Sequence, residues 1–239
     1  MIEACLGCGA PWREGARFCG RCGATEDGKP PAREELAAVG PRGLGAALTV
    51  YFLTLGVLVM LWLMEAGTQG IFAAYGALAL VGLGGAAWLG RESWGLFRLP
   101  SLGWRGALLA LVSLGGVAAL VYGLVSLFPS LYIDENAAFR AEGRSLGYAI
   151  LAMAACPALV EELLFRGVIL TGLRGVFHPR TAVLVSGLMF ATIHISVVSL
   201  SSHTLLGVIF GAVCLGSRSL WPGVVLHFGW NAGVLLIGW

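Results

Sequence analysis

Seven nearly unbroken apolar runs, at about 44–64, 70–90, 105–128, 146–172, 181–199, 203–217 and 220–238, leave this chain few folds to choose from. In hydrocarbon every backbone N–H and C=O needs a partner within the protein, so spanning segments are helices or strands of closed barrels. A helical crossing takes roughly 20 apolar residues and a barrel strand about half that, and six of the seven runs have the helical length. The sixth, 203–217, is short enough to be a tilted or incomplete crossing. Only 12% of the residues are charged and 58% are hydrophobic, against about 25% charged in soluble domains. The expectation is an all-α polytopic membrane protein with about seven transmembrane helices over residues 44–239, behind a polar N-terminal region. A net charge of +2 gives no reason to expect nucleic acid as a partner.

The connecting segments orient the bundle. Lys29, Arg33 and Arg42 precede the first run, Arg91, Arg98 and Arg105 flank the second connection, Arg174 and Arg180 the fourth, and Arg218 the sixth. The alternate connections carry Glu65, then the mixed set Asp134, Glu135, Arg140, Glu142 and Arg144, and no Lys or Arg between the fifth and sixth runs. Basic residues mark the cytoplasmic side, which predicts a multi-pass protein of the cytoplasmic membrane with a cytosolic N-terminus. The glycine pairs Gly207/Gly211 and Gly229/Gly233 give helices a way to approach closely, as membrane helices commonly do.

Residues 1–24 contain Cys5-Leu6-Gly7-Cys8 and Cys19-Gly20-Arg21-Cys22. Two such knuckles can supply four thiolates, Cys5, Cys8, Cys19 and Cys22, to one structural zinc, and the metal replaces a core too small to form unaided. Gly9 and Gly23 follow the knuckles and permit a tight turn around the sulfurs. A cytosolic location argues for zinc over two disulfides. The segment resembles a small zinc ribbon, closed around its metal and suited to contacting a protein partner; Arg13, Arg17 and Arg21 are partly offset by Glu3 and Glu14. Residues 25–43, with Pro30 and Pro31, read as a linker. The two remaining cysteines, Cys156 and Cys214, lie inside apolar runs and read as small core residues.

Within the fourth run, Glu161, Glu162 and Arg166 place three charges in six residues. A charge at mid-membrane costs roughly 2.5–3.5 kcal/mol on insertion scales, so such groups face a polar interior and mark function. Glu162 and Arg166 are four apart and stack on one helical face as an ion pair. Glu161 points elsewhere, with no cation on its own face. Two further polar points follow, His194 in the fifth run, and His227 with Asn231 one turn on in the seventh. At 1.5 Å per residue from the nearest basic flank, Glu161, His194 and His227 lie roughly 20, 21 and 14 Å deep. A carboxylate and two imidazoles at similar depth suit water activation, with Glu161 as base, His194 holding the water, and His227 and Asn231 donating to an oxyanion. The same groups are ordinary ligands of a divalent metal, so a metal-assisted route is equally open. His178, beside Pro179, and His203, at a helix end, read as surface residues.

Glu161-Glu162-x-x-x-Arg166, Phe190-x-x-x-His194 and His227-x-x-x-Asn231, in that order on successive apolar runs, resemble the CAAX-protease and bacteriocin-processing family of intramembrane endopeptidases. The resemblance covers about residues 140–239. It implies that Glu161 and His194 activate water, that His227 and Asn231 form the oxyanion hole, and that Glu162, Arg166 and Phe190 support the site. It further implies a membrane-associated protein or peptide as substrate, while the family's need for a catalytic metal is disputed. A scaffold or immunity-type protein with a structural polar cluster is the rival reading. Transport is disfavoured, because no inverted repeat or broken-helix pair is visible.

Overall fold

The computed structural model describes residues 4–6, 9–12, 19, 24, 33–64, 67–100, 103–128, 134, 136–194 and 197–238. From residue 33 onward the described chain is helical: α1 (Arg33–Leu63), α2 (Ile71–Leu89), a short α3 (Arg91–Trp94), α4 (Trp104–Leu127), a short α5 (Ala137–Ala141), α6 (Leu146–Leu173), α7 (Pro179–Thr192), α8 (Val197–Ser217) and α9 (Trp221–Gly238). Among the described residues, five segments are long and apolar enough to cross a membrane: Gly40–Leu63, Thr68–Leu89, Trp104–Leu127, Leu146–Leu173 and Leu200–Ser217. The molecule is therefore a multi-pass helical membrane protein.

Two of the seven expected crossings come out shorter. The fifth run yields only the 14 residues of α7, and the seventh an apolar helix over Trp221–Ile237. Helix α7 stops where polar side chains take over the backbone. The Thr192 hydroxyl donates to the Met189 carbonyl at 2.8 Å, and the His194 amide reaches back only three residues, to Ala191. The sixth run, by contrast, is among the five of full length. Helix α1 also begins at Arg33, inside the stretch read as linker, as the helix-favouring Glu34, Glu35, Leu36, Ala37 and Ala38 allow.

Helix α6 is the centre of the bundle. Over half of its apolar window, 56%, is buried, whereas α4 buries 11% and lies at the periphery with its side chains facing outward. Its start is capped by the Ser145 hydroxyl, which accepts from the Tyr148 amide at 3.2 Å. The preceding turn runs through Gly143 at φ +66°, where the left-handed backbone has no Cβ to clash. Pro157 lacks an N–H and crowds the carbonyl one turn back. The helix absorbs this by widening to π-type bonding over Leu151–Ala155, so that the Cys156 amide donates to the Leu151 carbonyl, five residues back. A second π-type stretch, Leu163–Leu170, carries Arg166, whose carbonyl accepts the Thr171 hydroxyl at 3.0 Å. Widenings of an α-helix to π-type bonding are frequent at functional sites.

Helices α7 and α8 meet backbone to backbone. A Cβ on Gly207 would fall 2.7 Å from the Gly187 Cα, so only glycine admits this approach. Of the two expected glycine pairs, Gly207/Gly211 packs against α7, while Gly229 and Gly233 face open space. One end of the bundle is tied by Arg42 donating to the Trp88 carbonyl at 2.7 Å, Ser219 to the Arg98 carbonyl at 2.7 Å, and Trp221 Nε1 to the Phe97 carbonyl at 3.0 Å. Gly40 packs on Gly175 and Val176 at that same end. The opposite end is closed by Thr68, whose amide and hydroxyl both donate to Glu142 and whose carbonyl accepts from Tyr148.

Of the N-terminal cysteines, Cys5 and Cys19 are described and Cys8 and Cys22 lie outside the described residues. Cys5 and Cys19 share a small buried cluster with Ala24, against which Ala10 and Trp12 pack. Gly9 sits at φ +69° and its amide closes on the Cys5 carbonyl at 2.8 Å, the tight turn foreseen after the first knuckle.

Candidate active site

Arg166 organises the polar centre. Its guanidinium is fully buried; one terminal nitrogen donates to Glu162 Oε1 at 2.8 Å and the other to the Gly207 carbonyl of α8 at 3.0 Å. The ring of Phe190 lies 4.7 Å from its central carbon and that of Phe210 5.4 Å, so the cation is sandwiched by aromatic faces. The anticipated i, i+4 pair is thus present, and it also pins α6 to α8.

Glu162 Oε1 accepts a second bond. His227 Nδ1 lies 3.1 Å away, while Nε2 on the far side of the same ring lies 3.9 Å from Glu161 Oε2. The imidazole stacks on Phe210 at 5.2 Å and 22° and meets the edge of Phe190 at 5.7 Å. A carboxylate on one ring nitrogen fixes which way the other points. Helix α9 can come this close because residue 223 is glycine: a Cβ there would sit 2.8 Å from Glu162 Oε2.

Glu161 is treated differently from its neighbour. Its Oε1 accepts from the Tyr75 hydroxyl of α2 at 3.3 Å. The Oε2 atoms of both glutamates are buried without a hydrogen-bond partner, but that of Glu162 points at Gly223 while that of Glu161 points at the His227 ring. A buried, unpaired carboxylate oxygen is costly in a folded protein and is a common mark of a reacting position. At 3.9 Å from His227 Nε2, a water about 2.8 Å from each atom would bridge the two.

His194 and Asn231 flank this pair. His194 Nδ1 faces the Phe190 carbonyl at 2.9 Å, so its N–H donates there and Nε2 keeps a lone pair. Its ring meets the edge of Phe190 at 5.0 Å, which sets the two imidazoles of His194 and His227 on one aromatic side chain. Asn231 Nδ2 donates to the Met153 carbonyl at 3.0 Å, within the first π-type stretch, and a primary amide retains a second N–H. Glu161, Glu162, Arg166, Phe190, His194 and His227 therefore cluster as one neighbourhood, and Asn231, one turn from His227 on α9, reaches the Met153 carbonyl.

Residues 143–233 match the family described as type II CAAX prenyl endopeptidase Rce1-like. That family is one of CAAX-type endopeptidases, and all three polar segments, around Glu161, His194 and His227, fall within the matched residues. The comparisons with curated proteins and with solved structures return no match.

Two contacts go beyond the sequence reading. His203 is not a surface residue: it is half-buried, and its ring centroid lies 4.0 Å from that of His194. It precedes Gly207 by one helical turn and so shares the face that receives Arg166, a spacing visible in the sequence. Tyr75 lies outside the Rce1-like match, in an apolar run with no polar motif around it. His178 does stay at the surface, where its ring caps α7 by accepting from the Arg180 amide. Among the described residues, no three His, Cys, Asp or Glu side chains converge as metal ligands would.

Proposed function

We propose that this protein is an intramembrane endopeptidase that hydrolyses a peptide bond of a membrane-associated protein or peptide by a glutamate-activated water. The observation that carries the reading is the buried, unpartnered Glu161 Oε2 facing His227 Nε2 at 3.9 Å. Water between them gives its proton to Glu161 while its oxygen attacks the scissile carbonyl carbon; His194 Nε2 accepts the water's other hydrogen and holds it in line. The carbonyl oxygen becomes an oxyanion stabilised by the second Asn231 N–H and, with a proton on both ring nitrogens, by His227 Nε2–H while Nδ1–H stays on Glu162. Collapse breaks the C–N bond, and Glu161 returns its proton to the leaving amine. Glu162 and Arg166 hold His227 and lock α6 to α8.

Arg42, Arg98, Arg174 and Arg218 lie at or beside the end of the bundle where α1 starts, which supports an N-terminus on the cytosolic side of a cytoplasmic membrane. There Cys5, Cys8, Cys19 and Cys22 would hold a structural zinc in a ribbon that meets a protein partner; the shared burial of Cys5 and Cys19 supports that arrangement. Zinc content of about one per chain, lost on Cys→Ser changes, is its measurement.

The catalytic reading is tested by comparing membrane proteomes with active protein and with Glu161→Gln, then assaying the altered substrates in proteoliposomes. Cleavage is expected to vanish in Glu161→Gln and His227→Ala, and retention of full cleavage by both rejects the mechanism. A scaffold reading draws on the interhelical bonds of Arg166 and Asn231. Full complementation of a knockout by Glu161→Gln would favour it.

A further inference from the structure

Beyond the segment matched by the Rce1-like family, one side chain reaches the reacting carboxylate. We infer that Tyr75 is a positioning residue for Glu161: its hydroxyl holds Oε1 and so presents Oε2 to the water and His227. The inference rests on the protease reading for its consequence, though not for the contact itself.

The placement follows from one stripe of α2. Tyr75, Leu78, Gly82 and Gly85 recur every three to four residues and so share a face. A Cβ on Gly82 would lie 2.9 Å from Leu163, and one on Gly85 would lie 2.6 Å from Val50 and 2.9 Å from Val168. The two glycines let α2 press against α6, and Leu78, 3% exposed, fills the next turn. Tyr75 then arrives level with Glu161, one turn beyond Leu78. Its ring lines an apolar cavity of about 270 Å³ together with Leu58, Ile71, Ala74, Leu78 and Met153. An aromatic body in an apolar wall with its hydroxyl on a polar group is the setting in which buried tyrosines are used. The cavity wall is thus joined to both sides of the site, through Tyr75 to Glu161 and through the Met153 carbonyl to Asn231.

A carboxylate turns about its last bond over a broad, nearly two-fold profile, because that torsion ends at a planar group. A donor on Oε1 restricts that freedom and leaves Oε2 as the oxygen that takes the water's proton. The neighbouring carboxylate needs no such help, since Arg166 and His227 both hold Glu162 Oε1. Positioning of this kind lowers the barrier without adding a contact to substrate, so its loss falls on kcat and leaves KM alone.

The test replaces the hydroxyl and nothing else. In proteoliposomes holding the full chain, Tyr75→Phe is expected to lower kcat roughly tenfold with KM changed by less than about twofold and the unfolding temperature unmoved. Tyr122→Phe, on the outward face of α4 and 77% exposed, controls for losing a phenol and should match the wild type. A kcat for Tyr75→Phe within about twofold of wild type overturns the inference. Because the contact can be read without turnover, infrared difference spectra across an acid titration give a second measurement. The carboxyl band lost in Glu161→Gln should shift in Tyr75→Phe, as expected when a hydrogen-bond donor is removed. An unshifted band overturns the inference even in a protein that cleaves no peptide, and a shifted band in such a protein keeps the contact while the protease reading fails.

Discussion

Arg166→Met should be among the most damaging single substitutions in the bundle, and its cost can be worked from the geometry. Methionine keeps an unbranched stem of similar reach but deletes the bonds to Glu162 Oε1 and the Gly207 carbonyl. It leaves Glu162, itself fully buried, with a carboxylate whose remaining partner is His227. Hydrogen bonds to charged groups are worth about 1.5–3 kcal/mol each, and breaking a buried pair by removing one partner typically costs about 3–5 kcal/mol. For a chain of this size each kcal/mol moves the midpoint about 2–4 °C, so the loss should appear as roughly 6–20 °C. Arg166→Lys should fall between, since an ammonium can reach Glu162 but cannot also fork to Gly207 or lie flat between Phe190 and Phe210. The double change Glu162→Gln/Arg166→Met should recover much of the loss by removing the stranded charge. Thermal unfolding in one detergent, with the four proteins side by side, measures this. An Arg166→Met midpoint within about 2 °C of wild type, or a double variant no better than the single, would refute the account of the pair.

Gly223→Ala puts a methyl 2.8 Å from Glu162 Oε2 and should cut turnover through His227 while costing about 1–3 kcal/mol, read from kinetics beside unfolding. His203→Ala removes the ring packed on His194 and should lower kcat with KM nearly constant in the same cleavage assay. At the opposite end of the bundle, the Thr68 hydroxyl and then its amide and Arg144 lower the pKa of Glu142 below the ordinary carboxylate value. A depressed folded-state pKa contributes stability above the unfolded value and loses it as pH falls through the folded one. Acidification should therefore release the Thr68 amide to hydrogen exchange, and Glu142→Gln should release it at neutral pH as well.

The parts of this architecture that depend on fixed helical spacing were legible in the sequence. Glu162 and Arg166 had to meet, being four apart on one face, and His227 and Asn231 had to share a side of α9. Glu161 was separable from its neighbour for the same reason. What spacing within one run cannot supply is the partner from another run. Tyr75 has no charged or polar motif near it, and its approach depends on Gly82 and Gly85, whose role appears only when α6 is in place. His203 was assigned to the surface because it sits near a helix start, yet the turn after α7 folds His194 back onto it. Run lengths misled where side chains intervene. The apolar run at 181–199 continues past Thr192, but hydroxyl and imidazole groups take the backbone carbonyls there and the helix ends. Similarly, Pro30 and Pro31 marked a linker whose second half is already helix.

The division of labour between the two glutamates follows from where each chain neighbour points. Residues adjacent in a helix face directions about 100° apart, so a pair of carboxylates cannot share one set of partners. Glu162 faces α8 and α9 and is consumed by them, holding a guanidinium and an imidazole on the same oxygen. Each keeps its Oε2 without a hydrogen-bond partner, that of Glu162 against Gly223; Glu161 faces α2, receives a single neutral donor, and turns its free oxygen to the His227 ring. The ring of His227 joins the two, anchored at Nδ1 and offered at Nε2. An arrangement built only to hold helices together has no use for a carboxylate oxygen aimed at a ring nitrogen, since Glu161→Gln would satisfy Tyr75 with its carbonyl and remove a buried charge. Retaining the carboxylate is intelligible when the second oxygen has a proton to take.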